Sequence, residues 1–213
     1  MLINYKEQRK LMVYLMKELQ IKDKKVLKAM LKIPREEFVP EILKESAYEN
    51  IPLSIGSNQT ISQPYTVAFM LELLEVKKGN KVLEIGTGSG YNAALLSELT
   101  GKDGKVITIE TIEKLYENSK DLLKNYKNIE VIHSDGSLGY KKESPYDRII
   151  VTAGCPVIPN LLINQLKNNG ILICPVGSPE SVMLKIIKTD NSIKKEVFGY
   201  FYFVPLRGEA GFN

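Results

Sequence analysis

The chain has one histidine, His133, and two cysteines, Cys155 and Cys174. A single imidazole excludes a multi-histidine metal centre. The two thiols match neither a zinc-ligand spacing nor a redox CxxC motif, so no metal is expected. A Ser-His-Asp hydrolase would have to use His133 as its base. Both cysteines lie in apolar stretches near predicted strand ends, where buried inert thiols are the expectation. A disulfide is disfavoured if the chain is cytoplasmic. No uninterrupted apolar run approaches the ~20 residues of a membrane span. The opening MLINYKEQRK lacks the apolar core of a signal peptide, which predicts a cytoplasmic protein without membrane partners. Arginine is scarce too: of 29 basic residues only Arg9, Arg35, Arg148 and Arg207 are Arg. The lysines are interleaved with acids. The net charge of +4 therefore reads as a solvated Lys/Glu surface, and no nucleic-acid partner is expected. Repeats and low-complexity linkers are missing.

What remains is an ordinary globular composition. The 213 residues are 44% hydrophobic and 25% charged, enough for one α/β core with a small appended region. Residues 1 to about 48 read as helical. Leu11, Met12, Leu15, Met16 and Leu19 share one helical face, and Asp23 is a candidate cap for a second helix carrying Val26, Leu27, Met30 and Leu31. Pro34 and Pro40 bracket a turn, PREEFVP. Residues 49–63, ENIPLSIGSNQTISQ, lack periodicity and read as a loop, a natural place for function. Pro64 suits the first turn of a helix through Val67, Met70, Leu71 and Leu74.

From residue 81 strands and helices alternate. KVLEI (81–85), KVITIE (105–110), IEVIH (129–133), DRIIVTA (147–153) and GILICPV (170–176) are predicted strands. Helices are predicted at 91–99, near 113–124 and near 159–167. VMLKIIK (182–188) and a segment near 195–204 look like a closing antiparallel pair. Serial β-α order predicts an α/β, doubly wound, mostly parallel seven-stranded sheet with an N-terminal helical extension. Residues 1–75 form that helical region and its loop. Residues 76–213 form the Rossmann-like domain, the whole making one compact unit.

The first strand runs into Glu84-Ile85-Gly86-Thr87-Gly88-Ser89-Gly90. A dinucleotide fingerprint would read G-x-G-x-x-G. Here the glycines stand at 86, 88 and 90. This G-x-G-x-G form, with an acid two residues ahead, resembles the S-adenosylmethionine site of Rossmann-like methyltransferases. That cofactor has no pyrophosphate to cradle, but its methionine end carries an ammonium. Glu84 is expected to meet that charge, directly or through water. Glu110 ends the second strand, where an acid accepts hydrogen bonds from ribose hydroxyls; alone it would be a solvent-facing strand end. Asp135-Gly136 follows the third strand. Its carboxylate is a candidate acceptor for the adenine amine, with Gly136 letting backbone approach the ring, although Asp-Gly is otherwise a turn signal. His133 is expected to pack at its strand end.

Other segments carry a more specific resemblance. PREEFVP (34–40), AYENIPLSIGSNQTISQPY (47–65), VLEIGTGSGY (82–91), SDGSLGY (134–140), PYDRIIVTA (145–153), LINQLKNNGILICPVG (162–177) and FVPLRG (203–208) closely resemble the protein-L-isoaspartate O-methyltransferase family. The resemblance covers nearly the whole chain, and QTISQP is its most specific part. It implies S-adenosylmethionine as cofactor and isoaspartyl-containing proteins and peptides as substrates. It places Ser62 at the reacting centre, with Gln59, Thr60, Ile61 and Ser62 also touching the cofactor. Glu84, Gly86, Gly88, Gly90, Glu110, Asp135 and Gly136 complete the cofactor set. The loop at 51–62 and the segment at 203–208, including Ile55, Val204 and Leu206, would grip the substrate backbone. Arg207 stands where other members carry a hydroxyl residue, and no cofactor role transfers to it.

The implied reaction is an in-line displacement in which the free α-carboxylate of an isoaspartyl residue takes the methyl group. A carboxylate is already ionised at neutral pH and needs no general base, which suits a chain with one histidine. The resulting ester collapses to a succinimide that hydrolyses partly to normal aspartate. Locally, Ser62 also reads as a helix-cap hydroxyl next to Pro64. The rivals are a methyltransferase for RNA or small molecules, which leaves QTISQP unexplained, and an NAD(P) oxidoreductase, for which the third glycine is misplaced. A non-catalytic cofactor-binding scaffold is opposed by the intact Glu84, Glu110, Asp135 and Ser62.

Overall fold

Near-continuous apolar runs ending at Ile85, Glu110 and Val151 line up as neighbouring buried strands in a computed structural model that describes residues 4–190 and 192–212. The chain begins with α1 (Tyr5–Glu18), α2 (Lys24–Lys32) and 3-10 turns at Arg35–Phe38 and Glu41–Ser46. A hairpin, β1 (Leu53–Gly56) and β2 (Gln59–Ile61), leads into α3 (Pro64–Leu74). Then follow β3 (Lys81–Ile85), α4 (Tyr91–Thr100), β4 (Lys105–Glu110), α5 (Glu113–Leu123), β5 (Ile129–His133) and β6 (Tyr146–Val151). The chain closes with α6 (Asn160–Asn164), β7 (Leu166–Val176), β8 (Glu180–Lys188) and β9 (Ile193–Tyr202).

The seven-stranded sheet has the order β5-β4-β3-β6-β7-β8-β9. Pairs from β5 through β7 are parallel; β7-β8 and β8-β9 are antiparallel. The chain winds outward from β3 to β5, then returns to the other side of β3 with β6. That reversal opens a crevice beyond the carboxyl ends of β3 and β6, where ligands bind in such sheets. Among the described residues no helix is long and apolar enough to cross a membrane.

The N-terminal helices pack into the same apolar cluster as α3, α4 and one face of the sheet: Met16, Met30, Leu71, Leu96 and Val82 all belong to it. Asp23 caps α2, its side chain accepting from the Lys25 amide. The inward face of α1 is rotated from the sequence expectation. Met12, Val13 and Met16 are buried, while Leu11 is 67% exposed and Leu15 and Leu19 are 38% exposed. Leu31 is likewise on the outside of α2, at 42%. Residues 49–63 also hold more order than expected. Ser57 and Asn58 both adopt positive φ, at 52° and 57°, making the two-residue turn that joins β1 to β2. The predicted helix near 159–167 ends at Asn164, because β7 starts at Leu166 and runs through an irregular register before Ile171.

Candidate active site

The crevice has two inner parts and an outer groove. The first inner cavity, about 570 Å³, runs from the glycine loop past Glu110, Ile112 and Gly136 to Leu206. The second, about 490 Å³, lies between the loop and Ser62, and reaches Tyr91 and Asn92 at the start of α4. The outer groove is bounded by Ser62, Tyr65, the end of β9 from Tyr200 to Tyr202, and Phe203 just beyond it. Thr60 and Thr152 border all three spaces, and Ser62 borders the second cavity and the groove.

The loop after β3 approaches β6 closely. Gly86 has φ +93°, and a Cβ there would sit 2.4 Å from Thr152 Oγ1. That hydroxyl instead donates to the Gly86 carbonyl at 2.7 Å. On the other side of the first cavity, a Cβ on Gly136 would come within 2.9 Å of Ile85 Cγ2, so only glycine lets that backbone reach the cavity floor. Gly90 caps α4 against Leu123 and lines none of these spaces.

Glu110 is held by backbone alone. Its Oε2 accepts the Gly88 amide at 2.9 Å, and its Oε1 accepts the Thr111 and Ile112 amides, each at 2.9 Å. The carboxylate is fixed while still facing the first cavity, as a ribose acceptor requires. Gln59 and Thr60 face it across that cavity, and Ile61 lines the second.

Two expected acids sit elsewhere. Glu84 is fully buried beneath the loop and lines neither cavity, so the direct contact expected with an ammonium is closed to it. Its carboxylate accepts from Thr108 Oγ1 at 2.6 Å and from Asn92 Nδ2 at 2.7 Å. Burial pushes its pKa up to about 7, with the Thr108 and Asn92 hydrogen bonds opposing and the Glu110 charge adding to the rise. Asn92 is the cavity-lining residue of this pair. Asp135 also lies off the cavity wall, which Gly136 forms. One Asp135 oxygen accepts from Ser137 N and Oγ, the other from the Glu209 amide at 2.7 Å. Burial pushes its pKa up, but these bonds outweigh it and hold the carboxyl below its ordinary value. Asp135 thus clasps the C-terminal segment whose residues 204–207 roof the first cavity.

The substrate residues divide similarly. Val204 borders both the first cavity and the outer groove. Leu206 is buried in the roof and faces the first cavity, and Ile55 leans onto Gly88 from outside the loop, so neither faces the groove. Ser62 is not a helix cap: the N-cap of α3 is Gln63, without a side-chain cap bond. His133 stacks on Tyr116 at the exposed end of β5. Both cysteines are free and buried, and burial pushes the Cys155 thiol up to about 12. Sequence reasoning missed Thr152, Asn92 and the aromatic end of β9. Arg207 stands at the mouth of the first cavity.

A doubly wound sheet with a strand-end carboxylate pinned beside a G-x-G-x-G loop at its switch point is the arrangement of a Rossmann-like methyltransferase dependent on S-adenosylmethionine. The family model for protein-L-isoaspartate(D-aspartate) O-methyltransferase matches residues 6–211. Protein-L-isoaspartate O-methyltransferase 2 of Archaeoglobus fulgidus is 48% identical over 215 residues, spanning 99% of this chain and 98% of that one. The Methanosarcina mazei protein-L-isoaspartate O-methyltransferase is 48% identical over 194 residues, 90% of this chain and 80% of its own. A solved protein-L-isoaspartate O-methyltransferase superposes with a TM-score of 0.87 at 32% identity, covering 95% of this chain and 67% of that one. A Plasmodium falciparum structure described as a putative protein-L-isoaspartate O-methyltransferase, in complex with S-adenosyl-L-homocysteine, gives 0.81 at 26% identity, covering 97% and 99%. This chain belongs to the protein-L-isoaspartate(D-aspartate) O-methyltransferase family. Its activity is the family's: S-adenosylmethionine-dependent methylation of the free α-carboxylate of L-isoaspartyl residues, which starts their repair toward normal aspartate.

Proposed function

We propose that methyl transfer in this chain takes place where Ser62, Thr60 and Thr152 meet. The adenosine end of the cofactor would lie in the first cavity, its methionine end in the second, and the isoaspartyl peptide in the outer groove. The observation that carries this reading is that Ser62 borders both the second cavity and the groove.

The residues present fit the cofactor. Glu110 offers fixed acceptor lone pairs for ribose hydroxyls. Ile109, Ile112 and Leu206 provide apolar walls for a purine. Asn92, tied to Glu84, presents a polar group to the methionine end. When bound, S-adenosylmethionine supplies an electrophilic methyl group on a sulfonium. The protein's part is to hold the acceptor. The Ser62 hydroxyl donates a hydrogen bond to one carboxylate oxygen and aims the other inward. Thr60 and Thr152 narrow the junction, and Val204 and Phe203 exclude water from the groove side. Orientation and desolvation of an already ionised nucleophile are the catalytic contributions.

Ser62→Ala tests the assignment. Single-turnover methylation should slow by roughly 10–100-fold while S-adenosylhomocysteine affinity stays nearly unchanged, since the hydroxyl is assigned to the acceptor. A mutant as fast as wild type would leave Ser62 without a role in the reaction.

A further inference from the structure

Arg35 opens the 3-10 turn Arg35–Phe38 and is 0% exposed. Its Nε donates to the Ala47 carbonyl at 2.7 Å and its Nη2 to the Ser62 carbonyl at 2.9 Å. Its Nη1 is buried with no hydrogen-bond partner, as is the Tyr91 hydroxyl, and the guanidinium lies 5.2 Å from the Tyr91 ring centroid. No carboxylate among the described residues pairs with it. The neighbouring Glu36 is taken by Arg9 and Tyr48. Burial lowers the Arg35 pKa to about 10, against smaller opposing effects of Tyr91 and Tyr48, so the group remains charged at neutral pH.

A buried cation without an anion is costly, and carbonyl oxygens together with an aromatic face compensate it only in part. The arrangement makes sense if a ligand supplies the missing charge. The second cavity is lined by both Tyr91, on which Arg35 rests, and Ser62, whose carbonyl Arg35 holds. The acceptor of the reaction is a carboxylate.

We infer that Arg35 is the positioning cation for the acceptor: it fixes Ser62 from behind through the carbonyl, and its unpaired charge favours a carboxylate at the Ser62 hydroxyl. This rests on the placement of the acceptor at Ser62. Arg35 thereby helps select an anionic α-carboxylate over neutral groups of the same shape. It also explains why a turn remote in sequence is built around a buried arginine.

The test reads charge discrimination. Two peptides differ at one residue, L-isoaspartate in one and L-isoasparagine in the other, so that a carboxylate is exchanged for an isosteric carboxamide. Each is titrated into the S-adenosylhomocysteine-loaded protein. Wild type should prefer the carboxylate by about 10-fold or more. Arg35→Lys should keep the preference while binding both peptides more weakly, because an ammonium cannot reproduce the planar pair of carbonyl bonds. Arg35→Met and Arg35→Gln, loaded with saturating S-adenosylhomocysteine, should bring the preference close to unity. Arg35→Gln retains an amide donor and carries the neutral comparison if the methionine variant does not fold. A wild-type preference near unity overturns the inference without any variant. A preference retained in the neutral variants also overturns it and leaves Arg35 a structural clamp, while isoaspartyl methylation by wild type keeps the acceptor placement standing. Failure of wild type to bind either peptide would overturn the placement and this inference together.

Discussion

Thr108 Oγ1 donates a 2.6 Å hydrogen bond to the buried carboxylate of Glu84, and accepts in turn from the Thr87 hydroxyl at 2.7 Å. An acid directly beneath the cofactor loop is thereby held in a site that still favours its neutral form, with a pKa of about 7 against an ordinary 4.5. The unfolded chain then binds fewer protons than the native one between those values. Stability from this group is full below about pH 4.5 and is lost as pH rises through about 7. Glu84→Gln removes that dependence. Urea unfolding at pH 5 and pH 8 should show a smaller fall in stability over this interval for the mutant than for wild type. Equal falls would mean that Glu84 does not titrate there.

Glu110→Ala should weaken S-adenosylmethionine binding by about 1.5–3 kcal/mol, on the order of 10–150-fold, while the fold persists. On the proposed placement of the cofactor, part of that loss comes from ribose hydrogen bonds and part from the anchor that Glu110 gives the Gly88 amide. Calorimetric titration checks it, and unchanged affinity in a folded mutant would remove Glu110 from the site.

Asp135→Ala should free the C-terminal roof. The Glu209 and Ala210 amides, tied to Asp135 and to the Ser137 hydroxyl that Asp135 orients, should lose protection from hydrogen exchange. Cofactor affinity should fall as a consequence. An affinity loss with protection unchanged would restore Asp135 as an adenine ligand and refute the clasp.

Much of this architecture is legible in the sequence because the central parallel strands are buried on both faces. KVLEI and KVITIE are near-continuous apolar runs closed by turn residues, IEVIH at the sheet edge alternates apolar with polar residues, and β3, β4 and β5 have the same bounds in the structure as in the sequence reading. Short strands carry no such signal. The three residues of β2 cannot display alternation, and the turn before them uses Ser57-Asn58 in place of Asn-Gly. The buried face of α1 departs from the sequence expectation because its leucines lie on the outward side of the helical stripe, whereas Val13 completes the buried face. At the site, glycine spacing locates the loop, and Glu110 is readable from its strand-end position. The fate of Glu84 is not readable, since burial there depends on Thr108 and Asn92 arriving from two other elements. Nor is that of Asp135, whose partner Glu209 lies 74 residues away in sequence. Arg35 is one of four arginines in the chain, and only the fold shows that it reaches Ser62.

The most direct measurement of the central claim is methyl transfer to two peptides of equal composition and charge, one with L-isoaspartate and one with normal L-aspartate. They differ only in where the main chain runs. The isoaspartyl form adds a methylene to the backbone and leaves the α-carboxylate free. A groove that holds the flanking backbone between the 51–62 segment and the end of β9 should bring only that carboxylate to the Ser62 junction. Displacements of about 1 Å cost on the order of 100-fold in rate. The expected result is ready methylation of the isoaspartyl peptide, with kcat/KM for the aspartyl peptide lower by at least about 100-fold. Comparable kcat/KM for the two would contradict the account.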